Sequence, residues 1–247
     1  MSSNLSAAKA EVIGKDDRIT PSYEWMVSTQ RQAIGQLEIQ KADKLFYTCT
    51  FTAVGRNIGL TNAHCLLDAQ GRAPLQIKAF ALRYGSRVYA SANVDWYWTG
   101  LSQAPSTLAD QTRDWAIVRF TTNLGTTTSW FGNEAYDPNI ANAGKSVTSS
   151  SSNLIGYSGG GTTPTAHLGC YTGQVTSGLL MHYCDSETGA SGSSLHTNGR
   201  RIQALHWGAF TYRGSRVNGA VPLERFMPAV QKLRDNGAAN GTVVPVP

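Results

Sequence analysis

The sequence predicts an all-β fold with one helix near its end. Short runs rich in β-branched and aromatic residues recur along the chain, each bounded by Gly, Asn or Ser, and a single stretch has helical spacing. Strands are expected, in order, over 36–39, 46–54, 76–84, 116–120, 175–176, 179–183 and 202–206. Many short strands with frequent turn signals point to a sandwich or barrel. Residues 124–144, rich in Gly, Thr, Asn and Pro, read as a linker between two halves, and the Ser/Gly/Thr-rich residues 149–165 read as a loop. A helix is expected over 222–234. There Leu223, Phe226, Met227, Val230 and Leu233 fall on one face, and Gly237 follows as a stop. The tail 238–247 is small, apolar and Pro-containing, and is expected to fray. A chain of 247 residues has room for one large all-β domain or two small barrels.

Composition narrows the class. Hydrophobic residues make up 41% and charged residues 15%, an ordinary globular balance. No apolar run approaches the roughly 18 residues of a membrane span, so no membrane partner is expected. The first ten residues lack the apolar stretch of a secretory signal. The net charge of +5 is scattered, with only Arg200 and Arg201 adjacent, which argues against a nucleic-acid-binding stripe. The four cysteines, Cys49, Cys65, Cys170 and Cys184, contain no C-x-x-C pair, so zinc or redox chemistry is not expected. They allow three pairings. Cys49–Cys65 with Cys170–Cys184 closes two local loops and is the expected one; it implies an oxidising compartment. The alternative is a set of buried free thiols in a reducing one.

Three strings carry the chemistry: Thr61-Asn62-Ala63-His64-Cys65, Asp114-Trp115-Ala116-Ile117-Val118 and Gly189-Ala190-Ser191-Gly192-Ser193. A serine hydroxyl is a poor nucleophile near neutral pH and needs a base and a group that fixes that base. Ser191 is the candidate nucleophile. Glycines at 189 and 192 let the chain turn sharply and let a substrate backbone approach. In such a turn the N–H groups of Gly189 and Ser191 can converge where an oxyanion would form. His64 is the candidate base, with Cys65 able to tie its backbone to Cys49. Asp114, just ahead of an apolar strand, is the candidate orienter; Asp110 and Asp95 are the fallbacks. An α/β-hydrolase esterase is disfavoured because that class places its serine first, and here histidine comes first.

With these motifs in hand, nearly the whole chain resembles chymotrypsin-fold serine endopeptidases, in particular the bacterial glutamyl endopeptidases and their exfoliative-toxin relatives. Residues 12–18, 60–65, 114–120, 155–157, 173–176, 189–193, 206–208 and 218–221 carry the likeness. The resemblance implies two antiparallel six-stranded β-barrels, about 12–125 and 145–221, with the catalytic cleft between them and a C-terminal helix over 222–234. It implies a protein or peptide substrate, a monomer, no metal or organic cofactor, and a secreted enzyme. It places the floor of the specificity pocket at Asp185 and Ser186. A trypsin-like preference for Arg or Lys through Asp185 is one outcome. The other is a preference for Glu, with His206 and the Ser186 hydroxyl binding the substrate carboxylate, Trp207 forming a wall and Gly208 continuing a substrate-pairing edge. Ala190 stands where trypsin-type zymogens carry an aspartate, which favours the glutamyl branch. Glu11-Val12 resembles a processing site, so residues 1–11 are expected to be a pro-segment and the Val12 amine to assist in binding an acidic side chain. A non-catalytic homologue that binds protein or glycan is the alternative from another class.

Overall fold

A computed structural model of the chain describes residues 10–133 and 151–236, and the backbone of Val244–Pro245. The first half contains α1 (Tyr23–Ser28), β1 (Ile34–Gln40), β2 (Phe46–Ala53), β3 (Ile58–Thr61), α2 (Ala63–Leu66), β4 (Gln76–Tyr84), β5 (Arg87–Thr99), α3 (Leu108–Gln111), β6 (Ala116–Phe120) and α4 (Leu124–Thr128). The second contains β7 (Gly132–Asn133), β8 (Ser151–Gly156), β9 (Thr165–Thr176), β10 (Leu179–His182), β11 (Ser194–His196), β12 (Arg201–Tyr212), β13 (Ser215–Pro222), α5 (Met227–Asn236) and β14 (Val244–Pro245).

Both sheets close on themselves. The first runs β14-β5-β4-β1-β2-β3-β6, and β5 also pairs with β6, so β1 to β6 form a barrel with β14 on its rim. The second runs β11-β8-β9-β10-β13-β12-β7, and β11 also pairs with β12; β7 lies parallel to β12 outside that ring. Closure removes the exposed strand edges that an open sheet would present. The first barrel fills with Leu37, Ile39, Phe51, Val118 and Phe120, all nearly inaccessible. Gly35 makes room for that core: a Cβ there would meet the Phe51 ring at 2.3 Å and the Phe80 carbonyl at 2.5 Å.

Register, more than any single contact, builds the cleft. Antiparallel pairing of Thr61 with Ala116 ends with His64 three residues beyond β3 and Asp114 two residues before β6, so the two meet. In the second barrel Ser194 pairs with Leu205, which lays the residues before β11 alongside 206–208 of β12. The barrels are stitched together at this seam. Thr50 donates its N–H to the Ser191 carbonyl at 2.8 Å and its hydroxyl to the Gly189 carbonyl at 2.9 Å, and the Thr52 and Ser194 hydroxyls meet at 2.9 Å. Disulfides Cys49–Cys65 and Cys170–Cys184 are both present, in the expected pairing.

Several expectations are corrected. The 149–165 loop contains β8, and β9 begins at its end; Ser152, Asn153 and Leu154 are buried despite the Ser- and Gly-rich composition of the segment. Residues 124–128 of the linker form α4, while 134–144 lie outside the described residues. The terminal helix starts at Met227, after a 3₁₀ turn over Leu223–Arg225, because Pro228 fits only the first turn of an α-helix. Among the described residues four short α-helices appear besides it, and Val244–Pro245 pairs with Trp96 and Tyr97 where fraying was expected.

Candidate active site

His64 lies on α2, a single helical turn fastened by the Cys49–Cys65 disulfide. Its ring Nδ1 sits 2.6 Å from Asp114 Oδ2, and its backbone N–H donates to Asp114 Oδ1 at 2.9 Å. Asp114 is inaccessible to solvent, and Asn62 Nδ2 donates to its carbonyl at 2.6 Å. A carboxylate held this way fixes the imidazole with its Nε2 directed away from Asp114. Asp95 pairs with Arg119 at 2.6 Å, and Asp110 caps α3, so neither fallback reaches His64.

The turn carrying Ser191 is built from glycines. Gly189 has φ +99° and Gly192 φ +86°, both in the region that side chains avoid. A Cβ on Gly189 would meet the Tyr157 carbonyl at 2.3 Å, and one on Gly192 the Thr50 carbonyl at 2.2 Å. The N–H groups of Ala190, Gly192 and Ser193 are used within the turn or by the His206 carbonyl, whereas those of Gly189 and Ser191 have no hydrogen-bond partner among the described residues. Ser191 Oγ does not reach His64. It donates to the Trp207 carbonyl at 3.5 Å, a long contact. That carbonyl is offered by a bulge: β12 shifts register between His206, paired with Ala220, and Gly208, paired with Gly219.

Asp185 does not serve as a free charge on the pocket floor. Its carboxylate is buried and accepts from the N–H groups of Ile13 at 2.8 Å and Asp17 at 2.9 Å, with His167 Nδ1 at 3.2 Å. It fastens the N-terminal segment to the second barrel. Asp17, His167 and Asp185 bring potential metal-ligand atoms within 4.8 Å of one another. However, the Asp185 oxygens are taken by these amides, and His167 Nδ1 accepts the Asp185 N–H at 2.9 Å. The Glu11 carbonyl accepts from Ser186 N–H at 3.2 Å and Asn218 Nδ2 at 2.6 Å, and its carboxylate pairs with Arg216 at 2.8 Å. Val12 therefore lies beside Ser186, between two anchored residues.

His206 is fully buried, and its Nδ1 is 3.0 Å from Nε2 of His182, a partner that sequence reasoning missed. The proton positions follow from the surroundings. His182 Nδ1 accepts the Cys184 N–H at 3.3 Å, so a neutral His182 carries its proton on Nε2 and donates it to His206 Nδ1. A neutral His206 then carries its proton on Nε2, which has no partner among the described residues. Ser186 Oγ is likewise buried and unpartnered. Trp207 is buried, and the absence of a side chain on Gly219 lets its indole pack close, since a Cβ there would come within 2.8 Å of Nε1.

Comparison with known proteins fixes the class. The trypsin family profile matches residues 12–230. The chain belongs to the trypsin family. It is a serine endopeptidase of that family, and its substrates are proteins or peptides. Among solved structures it is similar to a Glu endopeptidase determined in complex with MPD, at 20% identity over 91% of this chain and 100% of that one, with a TM-score of 0.73. It is also similar to a thermostable serine protease, AL20, from an extremophilic microorganism (15% identity, 86% and 100% coverage, TM-score 0.65). A third likeness is to the protease Anisep from Arthrobacter nicotinovorans (13% identity, 76% and 89% coverage, TM-score 0.61). No curated protein matches. For this trypsin-family chain, these likenesses place the fold. No helix among the described residues is long and apolar enough to cross a membrane.

Burial of the family fold's histidines has a cost in acid. Desolvation pushes His206 down to about 3 and His196 down to about 4, and holds His182 well below its ordinary value; the neighbouring His206 lowers His182 further. The unfolded chain takes up these protons near pH 6.5, whereas the folded one does not. Their contribution is thus intact above pH 6.5 and is lost as pH falls toward the folded values, at about 1.4 kcal/mol per pH unit per histidine. Urea unfolding at pH 7.5 and pH 5 should show the midpoint dropping in acid. An equal midpoint at both would mean that these rings are not held neutral.

Proposed function

We propose that the chain cleaves peptide bonds on the carboxyl side of glutamate, through Ser191 as nucleophile, His64 as base and Asp114 as orienter. The observation that carries the acidic preference is that His206 Nε2 and Ser186 Oγ are each buried without a hydrogen-bond partner among the described residues, His206 on the strand bonded to Ser193 and Ser186 five residues before Ser191. Buried donors without partners suit an acceptor-only carboxylate. The His206 N–H donates to the Ser193 carbonyl at 2.9 Å, which fixes this residue next to the nucleophile turn. Asp185 is buried and engages both carboxylate oxygens with amides of the N-terminal segment, which argues against its serving as the charge for a basic side chain.

Chemistry begins when Ser191 Oγ leaves the Trp207 carbonyl and turns toward His64 Nε2; catalytic hydrogen bonds are often unformed before substrate binds. Oγ attacks the carbonyl carbon while His64 takes its proton, and the imidazolium is steadied by Asp114. The N–H groups of Gly189 and Ser191, both without partners, receive the oxyanion. His64 then gives its proton to the leaving amine. Water, deprotonated by the same ring, hydrolyses the acyl-enzyme and restores the serine. Gly208 continues the β12 edge for the substrate backbone, with Trp207 as a wall of the pocket. Residues 1–11 are read as a pro-segment removed after Glu11, so that the freed Val12 amine, next to Ser186, adds a positive charge for an acidic side chain. The two disulfides fit secretion into an oxidising compartment.

Cleavage-site profiling on a peptide library, with the chain intact and with residues 1–11 removed, tests this. Cuts after Glu are expected, strengthened by removal. Cuts after Arg or Lys, abolished by Asp185→Ala, would overturn the acidic reading.

A further inference from the structure

We propose that Lys41 is a positioning residue for the catalytic base, holding the helical turn that carries His64. This rests on the reading of His64 as the base. Lys41 leaves the end of β1 and closes the β1–β2 hairpin through its own backbone, with its N–H on the Leu45 carbonyl at 3.1 Å. Its side chain then crosses to α2. There Nζ donates to the His64 carbonyl at 2.8 Å and to the Leu67 carbonyl at 3.2 Å. A one-turn helix leaves its last carbonyls without partners, and a cation at that end satisfies them and complements their partial negative charge. The ammonium thus binds the backbone of the base itself and the residue just past the turn.

The geometry around the ammonium supports a fixed, charged group. It is half-buried and lies 5.2 Å from the centre of the Tyr47 ring, whose hydroxyl is tied to Asp43 at 2.7 Å. Burial lowers the Lys41 pKa, and Asp68, Asp43 and Asp114 oppose this; Asp114 is the same carboxylate that holds the His64 ring. The disulfide fixes α2 from the Cys65 side, and Lys41 fixes it from the His64 and Leu67 carbonyls. Together they leave the turn little freedom to tilt, and the ring little freedom to leave Asp114. Misplacement of a catalytic group by about 1 Å can cost up to ~10²-fold in rate. Lys41 and His64 also line one cleft with Leu67, Asp68, Gln111 and Trp207, so a direct substrate contact is the competing role to be separated.

The test compares wild type with Lys41→Met and Lys41→Arg, after residues 1–11 are removed, on a peptide substrate. Lys41→Met is expected to lower kcat about tenfold with KM within about twofold, because an interaction that acts only through the base affects the chemical step. Lys41→Arg, able to reach the same carbonyls, should recover most of the loss. The low-field proton resonance of the His64–Asp114 hydrogen bond should broaden in Lys41→Met and persist in Lys41→Arg. An unchanged kcat in folded Lys41→Met overturns the proposal. So does a rise in KM alone, which would make Lys41 a substrate contact, or an arginine variant as impaired as the methionine one. Should Lys41→Met not fold, Lys41→Gln replaces it under the same outcomes. Wild-type protein that is not labelled at Ser191 by a fluorophosphonate would instead remove the parent reading of the site.

Discussion

Ser191→Ala should abolish nearly all peptide hydrolysis, lowering kcat about 10⁴- to 10⁶-fold while leaving KM and the unfolding midpoint close to wild type. The size follows from the loss of acyl-enzyme formation; residual rate comes from substrate binding and the N–H groups of the 189–191 turn. The stability should hold because, among the described residues, the Ser191 Oγ hydrogen bond is a single long one, to the Trp207 carbonyl. His64→Ala should cost about as much, and the double variant little more than either single one, since the two act as a unit. A fluorophosphonate probe, together with initial rates on a peptide substrate, reads all three. Full activity in Ser191→Ala would move the nucleophile elsewhere and take the proposed mechanism with it.

His206 substitution should have the next largest effect, and a selective one. His206→Ala removes the Nε2–H donor and the ring nitrogen that His182 Nε2 faces at 3.0 Å. A hydrogen bond to a charged group contributes roughly 1.5–3 kcal/mol, so kcat/KM for a glutamyl substrate should fall about 10- to 150-fold. A glutaminyl substrate, isosteric but uncharged, should lose much less. The ratio of the two rates, measured before and after the change, isolates the carboxylate contribution from general damage. Equal losses for both would mean that His206 supports the wall and does not read the substrate. His182→Ala should repeat the pattern more weakly, because its effect passes through the orientation of the His206 ring.

Much of this was legible in the sequence, and the remainder was hidden for physical reasons. Strands over 76–84 and 116–120 were read with their observed bounds because their apolar residues face a barrel interior. The thirteen-residue β5 was missed: Val88, Ala90, Ala92 and Val94 alternate with polar or exposed residues, but the alanines are small and make that period of two easy to overlook. β8 was hidden by serine and asparagine side chains that are buried because they bond to Gln203, His196 and Asn198. In the site, His64 and Asp114 followed from motif and order. The His182–His206 pair did not, since two histidines 24 residues apart carry no local sign that strands on either side of β13 will bring them together. The role of Asp185 stayed open between a pocket charge and a turn residue for a similar reason. A buried aspartate near a nucleophile looks like a pocket charge until the amides it holds are seen to come from residues 13 and 17.

If residues 1–11 are a pro-segment, the clasp of Asp185 on residues 13 and 17, just past its end, has a kinetic meaning. The bond after Glu11 is moored to the second barrel through Ser186 and Asn218, and Asp185 grips the chain two residues downstream. While those moorings hold, the molecule cannot offer that bond to its own nucleophile. Trimming there would pass from one molecule to another, so maturation would start slowly, quicken as finished copies accumulate and depend steeply on how concentrated the protein is.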